Sequence, residues 1–241
     1  MKKPIIGITC PWSVETWGDS REEGGYYYVG QVYVEAVAKY GGIPMLLVPQ
    51  YTEESLDEYL DRILDTVDGI LFSGGGDVKR KSNDNLPTLR GQQPVRYDFE
   101  AALMDQANER KIPVLGICRG FQMLVEVFGG SLAKETITGH SQNISGSLPW
   151  HDVILNKDSN LFERIGKEEW GVNSYHIQEV DKVPKDFIVS ATAVDGVIEG
   201  IETTKPQFLV GTQFHPEELQ RKDEVAGNVF EWFINSAKTK K

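Results

Sequence analysis

The sequence predicts an α/β chain, a three-layer sandwich with a mostly parallel central sheet covered by helices on both faces. Three observations predict it. Between residues 4 and 130, apolar runs of strand length alternate four times with segments of helical period, the order that a parallel sheet with crossover helices requires. The runs are short and continuously apolar, as strands buried on both faces are. After residue 130 the character turns β-rich, which adds an antiparallel β-rich segment in the C-terminal half.

The elements follow in order. "PIIGITC" (4–10) reads as a first buried strand, and "PWSVETWGDSREEGG" as a loop rich in glycine and charge. In "YYYVGQVYVEAVAKYGG", Val29, Val32, Tyr33, Ala36, Val37 and Tyr40 fall at helical spacing, with Gly41 as the stop. "IPMLLVP" is a second buried strand. A helix from Glu53 to about Thr66 carries Leu56, Tyr59, Leu60, Ile63 and Leu64 on one stripe. "DGILFSGGGD" is a third strand ending in three glycines, and 78–94 is a polar loop long enough to be functional. "VRYDFEAALMDQANERK" is a helix, "IPVLGIC" a fourth strand, and "RGFQMLVEVFGG" a helix stopped at Gly129 and Gly130. The β-rich runs beyond are "HDVIL", "WGVN", "DFIVSATAV", "GVIEGIE" and "FLVGTQF". Asp195-Gly196 marks a hairpin between the third and fourth of these. A last helix spans about Asp223 to Ala237. Neither a repeat nor a low-complexity linker interrupts the chain, so 1–241 reads as a single domain.

Composition excludes several functions. A net charge of -11 argues against a nucleic-acid surface, which needs clustered Lys and Arg. The basic clusters are Lys79-Arg80-Lys81 and a C-terminal "KTKK" that reads as a solvated tail. No run of eighteen apolar residues suggests a membrane span, and the apolar run near the start is too short for a signal-peptide core. Two cysteines do not make a disulfide framework in a chain this long. A reducing, cytoplasmic setting is expected.

One of those cysteines stands in "GICRG" (116–120), where a strand hands over to a helix. The spacing is that of the G-x-S-x-G elbow with sulfur in place of oxygen. Small glycines let a sharp turn pack, and the helix N-terminus favours a thiolate. Free amides there, that of Arg119 first, could stabilise an oxyanion. Free cysteines are also often small buried hydrophobes, so the pentapeptide alone leaves both readings open for Cys118; for Cys10 the buried reading stands.

A thiolate nucleophile calls for a histidine, and the chain has His140, His151, His176 and His215. His215, in "FLVGTQFHPEEL", follows a buried strand and precedes Glu217; on an extended stretch the two project to one side, so the carboxylate could orient the ring. His-Pro-Glu is equally a helix start, with proline at the first position. The histidines and cysteines show no zinc-like spacing.

Four motifs in this order, "GICRGFQ", "NSYHIQ", "DGVIEGIE" and "GTQFHPE", resemble the class I glutamine amidotransferase fold, a flavodoxin-like sandwich. More narrowly they resemble the gamma-glutamyl-gamma-aminobutyrate hydrolase, or peptidase C26-like, group, over about residues 4 to 235. The resemblance implies Cys118 as nucleophile, His215 as general base and acid, and Glu217 as the carboxylate orienting His215. It implies an oxyanion hole built from the backbone N–H groups of Gly75 and Arg119, with Gly74 and Gly76 beside the substrate. Gln122, Asn173, Ser174 and His176 would complete a gamma-glutamyl pocket, although a structural role for His176 is nearly as good a reading. Cysteine-dependent cleavage of a gamma-glutamyl amide through a thioester follows, as in polyamine or amine catabolism. It needs no cofactor and no metal, nucleic-acid or membrane partner, and a homodimer is left open.

Two departures from the family pattern lie near the expected mouth of the site. Lys79, Arg80, Lys81 and Ser82 follow Asp77-Val78 where the family has Asp-Pro and a Tyr-Gly-Glu-like element. Tyr97 stands where the family favours an aspartate before "DFE". Lys79, Arg80 or Arg90 could meet a carboxylate on the departing amine, although a solvated basic loop is the better reading of these charges. Two other functions stay open. One is a glutaminase subunit feeding a separate synthase, with no synthase domain fused within the 241 residues. The other is a non-catalytic binding or regulatory protein.

Overall fold

A computed structural model describes residues 2–15, 24–75 and 88–238. In chain order the elements are β1 (Ile5–Thr9), β2 (Trp12–Glu15), β3 (Gly24–Tyr27), α1 (Gln31–Lys39), β4 (Ile43–Leu47), α2 (Leu56–Thr66), β5 (Gly69–Phe72), α3 (Leu89–Gln92), α4 (Pro94–Glu109), β6 (Val114–Ile117) and α5 (Arg119–Val127). Then come β7 (Ser131–Leu132), β8 (His151–Leu155), α6 (Asn160–Ile165), β9 (Glu169–Val172), β10 (Val180–Lys182), β11 (Phe187–Ala193), β12 (Ile198–Thr203), β13 (Leu209–Thr212), α7 (Pro216–Leu219) and α8 (Gly227–Lys238).

Nine strands form one sheet in the order β4-β1-β5-β6-β13-β12-β11-β8-β9. The first five are parallel and the rest antiparallel. The β-rich C-terminal half therefore extends the same sheet. Two apolar clusters cover its faces: α1, α6 and α8 pack on one through Ala36, Leu161 and Phe230, and α2, α4 and α5 on the other through Leu60, Leu103 and Phe121. Successive strand residues alternate between them, Leu71 to the first and Ile70 and Phe72 to the second.

Four readings change. "IPMLLVP" forms a strand, but at the open edge of the sheet, where Ile43, Met45 and Leu46 are exposed; an apolar run cannot by itself tell edge from centre. The loop after β1 contains the β2–β3 hairpin, paired from Trp12↔Tyr27 to Glu15↔Gly24. Part of the polar segment before α4 forms α3, capped by Thr88, whose hydroxyl accepts from the Gly91 amide. α6 is an added helix, and its caps were readable: Ser159 accepts from the Phe162 amide, and Gly166 closes it in the left-handed conformation. The Asp195-Gly196 hairpin joins β11 and β12. Among the described residues no helix is long and apolar enough to cross a membrane.

Candidate active site

β5, β6 and β13 lie side by side, with Phe72 opposite Gly116 and Thr212 opposite Ile117. Their carboxyl ends therefore deliver the glycine loop, Cys118 and His215 to one place, where open parallel sheets hold their ligands.

Cys118 caps α5 with φ 53° and ψ −103°, a backbone conformation that costs a non-glycine residue about 1–3 kcal/mol. A Cβ on Gly120 would stand 2.1 Å from the Phe72 carbonyl oxygen, and one on Gly116 2.5 Å from that of Gly120. The strand-to-helix corner closes only with glycine on either side of the cysteine. Arg119 is the first residue of α5, so its N–H has no acceptor within the helix.

His215 stands immediately before α7, with Pro216 at its first position. The helix start is compatible with the catalytic reading. Its Nδ1 lies 2.6 Å from Glu217 Oε1, and its buried Nε2 has no hydrogen-bond partner. Burial opposes charge on this ring, but the Glu217 carboxylate and the Cys118 sulfur outweigh it and hold the imidazole charged well above its ordinary range. A Cβ placed on Gly74 would lie 3.1 Å from His215 Cε1 and 3.3 Å from Cys118 Cβ. Ring and thiol thus flank the same glycine.

A cavity of about 310 Å³ opens on this point, lined by Tyr28, Tyr33, Gly74, Gly75, Tyr175, His215 and Glu217, among others. Cys118 is 5% exposed and sits behind Gly74. Gly75 has φ +79°, open to glycine without strain. The Gly74 amide is already spent: it donates to the Tyr33 hydroxyl at 3.0 Å, which itself lies 3.5 Å from His215 Nδ1.

Beneath the glycines lies a buried ionic network. Arg96 donates to the carbonyls of Ser73 and Gly75, each at 2.8 Å, and to Glu100 Oε1 at 2.8 Å. Glu100 also accepts from Thr9 Oγ1 at 2.7 Å and from Arg119 Nη1. Burial would raise this carboxyl, but Arg119 and Arg96 hold it below the usual range. The Arg119 side chain thus braces the loop while its backbone opens α5.

The structure does not put every expected residue on the cavity wall. Asn173 is fully buried, accepting from the His215 amide at 2.7 Å and donating to the His215 carbonyl at 3.0 Å; it holds the histidine's backbone. Ser174 is buried, donating to the His140 carbonyl. His176 is buried against Glu199 and the Gln178 carbonyl, which is the structural reading of this residue. Gln122 donates to Gln213 Oε1 at 3.1 Å, turned into a glutamine pair. Tyr175, between Ser174 and His176, is the one of its motif on the wall, its ring centroid 5.5 Å from that of His215. Arg90 forks onto Asp98 at 2.8 and 3.1 Å on the surface. Tyr97 is pushed up to about 12 by burial and then by the Glu126 charge in α5. Gly76 and Lys79-Arg80-Lys81 lie outside the described residues. Cys10 is fully buried, its thiol pushed up to about 11 chiefly by burial.

Tyr33, Arg96, Glu100 and Tyr175 escaped the sequence reading as site residues. Tyr33 and Glu100 sit on helical core positions, and their partners are 41 and 91 residues away.

A family model described as Peptidase C26 matches residues 4–217. A Mycobacterium tuberculosis protein provisionally named a glutamine amidotransferase is 34% identical over 224 residues, covering 89% of this chain and 70% of its own length. The gamma-glutamyl-gamma-aminobutyrate hydrolase of Escherichia coli is 30% identical over 223 residues, covering 85% of this chain and 84% of that protein. A solved Thermotoga maritima glutamine amidotransferase superposes with a TM-score of 0.61 at 16% identity, covering 99% and 97% of the two chains; that likeness is one of fold.

Proposed function

This chain belongs to the peptidase C26 family, and from that premise we propose that it is a cysteine-dependent hydrolase of gamma-glutamyl amides, with Cys118, His215 and Glu217 as its triad. The observation that carries this reading is the state of one ring. Glu217 holds His215 Nδ1, while Nε2 is left without a hydrogen-bond partner next to the elbow of Cys118. That ring is placed to take and return a proton.

Cys118 sulfur adds to the side-chain amide carbonyl, and the carbon–oxygen pair moves onto oxygen. The Arg119 and Gly75 amides receive the oxyanion. As the intermediate collapses, the C–N bond breaks and protonated His215 gives its proton to the departing amine. His215, now neutral, takes a proton from water, and the hydroxide adds to the thioester. The C–S bond then breaks, freeing glutamate and restoring the thiolate–imidazolium pair. The Escherichia coli relative's name supports gamma-aminobutyrate as the departing amine.

The amidotransferase names among the relatives favour a second reading, a glutaminase subunit that delivers ammonia to a synthase on another chain. Turnover of a panel of gamma-glutamyl amides by the purified protein separates the two. The hydrolase is active alone and its Cys118→Ala variant is folded and silent; a synthase subunit is nearly silent in both forms. Activity that survives Cys118→Ala would reject the nucleophile.

A further inference from the structure

The other three histidines, separated in sequence by 11 to 36 residues, meet around one carboxylate. Glu199, in β12, is fully buried, and its Oε1 lies 3.0 Å from His140 Nδ1, 3.1 Å from His176 Nε2 and 3.3 Å from His151 Nε2. The donor atoms of His140, His151 and Glu199 all fall within 4.8 Å of one another. Ligands bound to zinc at about 2.0–2.1 Å in a tetrahedron stand roughly 3.3–3.4 Å apart, close to the distances from Glu199 Oε1 to the three ring nitrogens.

The outer ring nitrogens support the same reading. His140 Nε2 lies 2.9 Å from Asp195 Oδ2, and His176 Nδ1 lies 2.9 Å from the Gln178 carbonyl. Each outer nitrogen has an acceptor of its own, so an ion could replace the proton that each inner nitrogen shares with Glu199, leaving the rings held as metal-bound histidines are. Glu199 Oε2 and His151 Nδ1 are buried without hydrogen-bond partners. Polar atoms so placed ordinarily find a partner. Asp195 is half-exposed, so the cluster is reachable from solvent.

We propose that His140, His151 and Glu199, with His176 bonded to the same carboxylate beside them, form a binding site for one divalent first-row transition ion of the zinc class. Its role is to position. The ion ties β8 and β12 to the 173–178 segment, whose Asn173 holds both backbone groups of His215, while the Glu199 carbonyl accepts from the Gln213 amide at 2.8 Å. The proposal does not depend on which amide the chain cleaves.

The test is to strip the full chain with a chelator, remove the chelator, and titrate with Co²⁺. The expected result is one equivalent bound with the intense visible bands of four-coordinate cobalt, discharged by Zn²⁺, and a melting temperature raised by several degrees. His151→Gln and Glu199→Gln should lose colour and shift, and Cys118→Ala should keep both. Should the variants fold poorly, exchangeable imidazole proton resonances shifted by Co²⁺ in the wild-type chain count the histidine ligands without any substitution. Wild-type protein that takes up no Co²⁺, or shows no such resonances when loaded, overturns the proposal. So does colour that persists in both ligand variants or disappears in Cys118→Ala, which would place the ion at the catalytic thiol.

Discussion

Glu100 and Glu199 are both fully buried carboxylates, but the molecule surrounds them differently. Glu100, under the oxyanion loop, is ringed by the guanidiniums of Arg96 and Arg119, which are always charged and fork rigidly. Glu199, in β12, is ringed by imidazoles, side chains that can exchange a proton for another proton or an ion. On the proposed mechanism, the side with the oxyanion donors is braced by permanent charge, and the side of His215 by imidazoles and by the amide of Asn173. Fixed donors suit a preorganised oxyanion hole, and the difference can be tested one side at a time.

The largest effect is expected on the histidine side. Glu217→Gln keeps the shape but favours the wrong ring tautomer, and kcat should fall on the order of 10⁴-fold with the fold intact. A fall of less than tenfold would remove Glu217 from the triad. The same variant carries a pH signature. His215 is faced by Glu217, Cys118, Tyr33 and Tyr175, and its folded pKa lies above the ordinary 6.5. Its ion-pair stabilisation is therefore full below about 6.5 and is lost as pH rises through the higher folded value. In denaturant melts across that alkaline range, Glu217→Gln should lose stability at a lower pH than wild type. Glu100 has the opposite sign: its folded pKa is lowered, so its contribution is lost only as pH falls through that value.

On the oxyanion side, Arg96→Gln leaves Glu100 half-paired in the interior and frees the carbonyls of Ser73 and Gly75. Breaking such a pair costs about 3–5 kcal/mol, and a displaced donor about 10²–10³ in kcat. Urea melts and steady-state rates read the two separately; an unchanged kcat would reduce the network to a folding role. Tyr33→Phe is smaller. It leaves the Gly74 amide without its acceptor, at about 1–3 kcal/mol, and should lower kcat more than it alters KM. The smallest is Arg90→Ala, which removes a solvent-screened surface fork onto Asp98. It should leave cleavage of gamma-glutamyl-gamma-aminobutyrate unchanged, and a selective loss for amides whose amine bears a carboxylate would return Arg90 to the site.

What was legible in the sequence follows the range of the contacts. The parallel strands, their helices and the Asp195-Gly196 turn are local patterns, and they read correctly. The proximity of Cys118 to His215 and Glu217 is expected from local patterns, a glycine-flanked elbow and a histidine two residues from a carboxylate. The edge position of Ile43–Leu47 depends on what pairs beside it, and no local pattern carries that. Thr9, Glu100 and Arg119 meet across three elements, and His140, His151, His176 and Glu199 across four segments. Each of these residues looks ordinary in its own stretch. Asn173 was found by its motif, but its use, gripping the backbone on both sides of His215, is visible only in space.

The left-handed backbone at Cys118 has a consequence for anyone selecting hardier forms of this protein. Glycine there would relieve about 1–3 kcal/mol of strain against about 0.5–1 kcal/mol for its freer unfolded chain. A screen that rewarded heat tolerance alone would therefore tend to favour replacing the very sulfur proposed as the nucleophile.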